Sequence, residues 1–157
     1  MGEPAGAAPA PVQPKAPTVP LPLALAKKLL EELEREAETL GIQFVMAVSD
    51  ASGRPIAVHV MDDAFIASYD IAVNKAFTAV SLKMPTKDLA PLCQPGGSLY
   101  GLQNTNDGRI VIFGGGVPLK DSNGRIIGGL GVSGSTAEID THMGDLVVQI
   151  FERLQRL

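Results

Sequence analysis

The chain has 157 residues, a formal charge of −4 and only 4% aromatic residues. That length suits one domain with a tail, and a mildly acidic chain with no basic run argues against nucleic acid or an anionic membrane as its main partner. A single cysteine, Cys93, excludes an intramolecular disulfide framework and any Cys-built zinc or iron–sulfur cage within one chain. No apolar run approaches the roughly 20 residues of a membrane span. Residues 1–20 lack the basic start and apolar core of a secretory leader. The expectation is a soluble, cytoplasmic protein.

Seven of the 12 prolines fall within the first 22 residues, with alanine filling most gaps. Such a stretch favours solvated polyproline II, so residues 1–20 read as a tether and 21–157 as the folded domain. Leu23, Ala26, Leu29, Leu33, Ala37 and Leu40 recur at helical spacing, and Gly41 suits a helix stop. Residues 42–49 and 55–61 are β-branched runs joined by Asp50-Ala51-Ser52-Gly53-Arg54, a hairpin. Ser68 looks like the N-cap of a helix reaching Leu82, rich in small residues that let it lie close to a sheet. A short helix follows at residues 86–89. Residues 91–108 form a long loop, of a length usually functional or mobile. Residues 109–113, 117–120 and 125–133 read as strands, with a turn at Asn123-Gly124. A last helix begins after Gly134. Tight hairpins imply antiparallel pairing, hence an α+β fold with helices covering an antiparallel sheet.

Gly129-Leu130-Gly131-Val132-Ser133-Gly134 matches G-x-G-x-x-G, but only one helix follows it and its strand sits in a hairpin. A dinucleotide site needs a further strand with an acid. Close approach of a helix or ligand to the sheet explains these glycines better. Gly114, Gly115 and Gly116 permit a sharp turn or bulge, or line a ligand pocket with backbone. His59 and His142 are the only histidines. Either can be a satisfied semi-buried side chain, and a single imidazole is also enough for an axial haem ligand. Asp62-Asp63 reads as a solvated turn rather than an acid–base pair. Lys75 projects along the packed face of its helix, where it would snorkel or meet an anion such as a propionate. Cys93 has no basic neighbour in sequence, and Ser133 and Ser135 have no local base. No nucleophile–base–acid set is visible.

Several stretches carry a resemblance: Val48-Ser49-Asp50-Ala51-Ser52-Gly53, His59-Val60-Met61-Asp62-Asp63-Ala64, Ser68 to Ala79, Pro85-Thr86, and the block from Gly114 to Gly134. In that order they resemble the GlcG/HbpS family of haem-binding or haem-degrading domains over about residues 23–157. Pro95 to Leu102 and Asn104 to Gly116 are most similar to the PduO C-terminal subgroup, and the expectation is a stand-alone version of it, with no adenosyltransferase chemistry implied. The resemblance implies a profilin-like fold with about five antiparallel strands flanked by helices. It also implies self-association into tetramers or octamers, haem or a corrinoid-related ligand, and a link to cobalamin-dependent or bacterial-microcompartment metabolism. His59 is the first ligand expected for a haem iron, with Met61 and His142 behind it. Lys75 would be a propionate contact, and Gly114, Gly115 and Gly116 would line the pocket. The reading is a non-catalytic binding module. A haem-degrading or other small-molecule enzyme, and a scaffold docked through the tail, are the alternatives.

Overall fold

Pro22 has no N–H to lose and stands at the N-cap of the first helix, α1 (Leu23–Leu40), which Gly41 ends at φ 66°. The stripe legible in the sequence is the buried one: Ala26, Leu29, Leu30, Leu33 and Ala37. The computed structural model describes residues 6, 8, 9 and 20–157. The expected tether therefore lies, but for those few positions, outside the described residues.

Four strands follow in two hairpins: β1 (Val45–Asp50) with β2 (Pro55–Val60), and β3 (Gly116–Lys120) with β4 (Ile126–Ser133). They form one antiparallel sheet in the order β2-β1-β4-β3. Both hairpins close with the same device. Asp50 Oδ1 accepts from the N–H of Ser52 at 2.8 Å and of Arg54 at 3.0 Å. Asp121 Oδ1 accepts from Asn123 and Arg125, both at 2.9 Å. Gly53 and Gly124 take φ 78° and 77°, a region glycine enters without steric cost.

The run at residues 109–113 is not a fifth strand. Its polar backbone is satisfied elsewhere: the Val111 N–H donates to Thr78 Oγ1 at 3.0 Å. Ile110 and Val111 are buried by packing instead, and the Arg109 guanidinium stacks 3.6 Å from the Phe77 ring centroid. The long loop before it is wound into single 3₁₀ turns at Pro91–Cys93, Leu102–Asn104 and Asn106–Gly108, after another at Thr86–Leu89.

Helix α2 (Ser68–Leu82) covers one sheet face; α1 and α3 (Ala137–Gln155) cover the other. Paired residues in an antiparallel ladder share a face. Met46, Val48, Leu130, Val132 and Val117 accordingly build the main core with α1 and α3. On the opposite face β4 presents Gly129 and Gly131. A Cβ on Gly131 would lie 2.0 Å from Ala72 O, and one on Gly129 would lie 2.7 Å from Ala76 O. These glycines seat α2 on the sheet, as expected from the sequence. Ser68 is not the α2 cap. Ala67 holds that position, and the buried Ser68 hydroxyl accepts from Ser133 Oγ at 3.2 Å. Thr136 does cap α3, accepting from the Ile139 N–H at 3.3 Å.

Candidate functional site

The expected site residues fall into two groups on opposite faces of the sheet, and His142 is exposed on the last helix, next to Thr141 and Asp140 of the first group. The first group surrounds Lys75. This residue does not snorkel: it is 0% exposed. Its stem packs beside Gly131, and its ammonium donates to Val132 O at 2.7 Å and to Asp140 Oδ2 at 3.0 Å. The missing Cβ atoms of the glycine triplet make room for this arrangement. A Cβ on Gly115 would stand 2.7 Å from Lys75 Nζ, and one on Gly116 would stand 2.6 Å from Lys75 O. Gly114 meets α3 in the same way, since its Cβ would lie 1.7 Å from Thr141 Oγ1. The Phe113 ring lies over the ammonium, 5.1 Å from it to the centroid. The second oxygen of Asp140 accepts from the Ser135 N–H at 3.0 Å. Burial pushes the Lys75 ammonium below the usual lysine range, while the charge and hydrogen bond of Asp140 oppose that shift. This is an enclosed ion pair bolting α2, β4 and the start of α3 together.

The second group lies at the β2 edge. His59 pairs across the ladder with Met46, so it faces α1, as the strand alternation predicts. There its Nδ1 meets the Glu34 carboxylate. That contact fixes the ring and leaves Nε2 as the nitrogen free to bind a ligand. Met61 stands two residues on, its sulfur accepting from the Phe44 N–H at 3.4 Å. Beside them is a cleft of about 330 Å³ lined by Glu34, Glu38, Gln43, Val60, Met61 and Asp62. His142 is exposed on α3. Among the described residues no group of three or more His, Cys, Asp or Glu could hold a metal ion by itself.

Glu34 and Asp140 escaped the sequence reading. Glu34 lies 25 residues from His59, and Asp140 lies 65 from Lys75. Asp140 carried a weak signal, an acid in the first turn of a helix; Glu34 carried only its place at the flank of the α1 stripe.

A small α+β domain with a glycine-thinned strand under one helix and a carboxylate-held histidine at the sheet edge defines the class. The chain belongs to the HbpS-like family, described as haem degrading protein HbpS-like, which it matches over residues 21–148. It is 45% identical over 132 residues to a 15.0 kDa protein of the dhaT-dhaS intergenic region of Citrobacter freundii, covering 84% of this chain and 92% of that one. It is 37% identical over 131 residues to the corrinoid adenosyltransferase PduO of Salmonella typhimurium, covering 81% of this chain but only 39% of PduO. Among solved structures, the crystal structure of a PduOC–haem complex superposes with a TM-score of 0.79 at 35% identity, covering 83% of this chain and 94% of that one. No helix among the described residues is long and apolar enough to cross a membrane.

Proposed function

We propose that the chain is a self-associating haem-binding module in which His59 is the axial ligand. One observation carries this reading: Glu34 holds His59 Nδ1, so the ring is oriented and Nε2 is left to face a ligand. Haem would supply an iron whose open positions the protein around it tunes. Glu34, Glu38 and Asp62 at the neighbouring cleft repel propionates, which would then face solvent. A propionate contact at Lys75 would require Asp140 to be displaced first. Met61 and His142 remain second choices. The family membership and the haem complex of a relative support the ligand; the match to PduO supports a role beside cobalamin-dependent or microcompartment metabolism. Adenosyl transfer is not carried over, since the chain spans 39% of PduO.

Titration with hemin, read at the Soret band, tests this. Wild type and His142→Ala are expected to shift the band alike. His59→Ala should lose the shift, and Glu34→Gln should weaken binding roughly 10–100-fold. An unchanged band in His59→Ala would remove the assignment; no shift in wild type would remove haem. With a reductant added, a stable spectrum marks a binding module, whereas decay of the bound pigment marks haem breakdown.

A further inference from the structure

A lysine ends α2 in a conformation that lysine seldom takes. Lys83 is the C-cap, at φ 57° and ψ 39°. Glycine is the usual residue at such a helix end, because a Cβ is strained in the left-handed region. The Lys83 side chain is exposed and makes no ion pair with a described residue. Strain of this kind, where a fold keeps it, clusters at binding sites. A cleft of about 300 Å³ opens beside Lys83. It exists because β3 is the last strand of the sheet, so no strand fills the space between its outer edge and α3. Val117 and Leu119 of β3, with Val148 and Phe151 of α3, give it apolar walls. It lies at the opposite edge of the sheet from β2 and His59.

The two ends of this cleft differ in charge. Asp145 and Glu152, both on its α3 wall, stand two helical turns apart and mark those ends. Asp145 is already held by Lys87 at 2.9 Å, which leaves Lys83 uncompensated at that end. Glu152 shares the other end with Lys120, and the same two residues also line the neighbouring cleft, so their charges offset. An apolar trough thus carries one net charge, a cation where α2 stops. We propose that the cleft binds a small monocarboxylate, with its hydrocarbon chain between β3 and α3 and its carboxylate on Lys83. The volume is at the low end of ligand pockets, which suits a free short-chain acid rather than a lipid.

Calorimetric titration of the full chain with hexanoate, hexanol and hexylammonium at neutral pH tests this. Hexanoate is expected to bind, and the alcohol and the ammonium to bind about tenfold more weakly or less. Equal binding of all three, or no binding of hexanoate, would overturn the proposal. Lys83→Gly removes the cation and the strained Cβ together. Its Tm should hold or rise, while its hexanoate affinity should fall about tenfold, which separates a lost contact from a damaged fold. Wild-type affinity in that variant would remove the carboxylate from Lys83. Lys120→Gln should stay within about twofold of wild type; a loss as large as that of Lys83→Gly would place the carboxylate at the other end. Val148→Asp, at an exposed position on the apolar wall, should also lose hexanoate, with its mass by light scattering unchanged. A lower mass would make this face a contact between copies and overturn the site.

Discussion

Replacing Lys75 with Met is expected to lower stability by about 3–5 kcal/mol, because the Asp140 carboxylate is then left buried without its counter-charge. The partner change rescues it. In Lys75→Met/Asp140→Asn no charge is enclosed, the Asn side chain can still accept from the Ser135 N–H, and most of the loss should return. Urea unfolding of the three chains measures this. A single variant within about 1 kcal/mol of wild type would show that the pair is not desolvated as its burial implies. The pH dependence has a definite sign. Burial lowers the Lys75 pKa from 10.5, so between the lowered value and 10.5 the unfolded chain holds the extra proton. The contribution of Lys75 is smallest below that window and grows as pH rises through it. The double variant should lack this alkaline gain.

Gly131→Ala is the second large effect. The added carbon would lie 2.0 Å from Ala72 O and 2.8 Å from Ala76 N, both atoms of the α2 backbone. A helix backbone cannot swing aside as a flexible side chain can, so α2 must lift from the sheet. The expected cost is about 3 kcal/mol, a fall in Tm of roughly 6–12 °C for a domain of this size. Gly144→Ala provides the contrast. Its Cβ would meet Val117 Cγ1 at 3.4 Å, an ordinary contact, inside a helix where alanine outranks glycine. It should stabilise by about 0.5 kcal/mol. Calorimetry showing equal effects for the two would refute close approach as the reason for the glycine at residue 131.

Features written in neighbouring residues were legible in the sequence. The α1 stripe, the two Asp-x-x-Gly-Arg turns and the small-residue face of α2 depend on spacing within a few positions. So did the placing of His59 on the face opposite Val58, which the structure confirms through its Met46 partner. What was misread depends on distant partners. Residues 109–113 have the composition of a strand, yet Thr78, on another element, takes the Val111 N–H. Ser68 has the look of a cap, yet Ser133 claims its hydroxyl. Lys75, on the packed face of its helix, was expected to snorkel to solvent or to meet an anionic ligand, and instead Asp140 arrives from the last helix. Of the expected site residues, the fold gathers Lys75 with Gly114, Gly115 and Gly116, and His59 with Met61; it separates the two sets and leaves His142 exposed on α3.

The matching hairpin turns have a practical consequence. Asp50 and Asp121 fix each turn through backbone N–H groups, so the exposed side chains of Ser52 and Ser122 are free to be exchanged. The single native thiol, Cys93, is buried. A cysteine placed at Ser52 or Ser122 is therefore the one a thiol-reactive dye reaches. The two positions sit at opposite sides of the sheet, one beside β2 and one beside β3. Dyes at the two positions therefore mark the β2 and the β3 side of the sheet separately, which turns two interchangeable loops into labels for its two flanks.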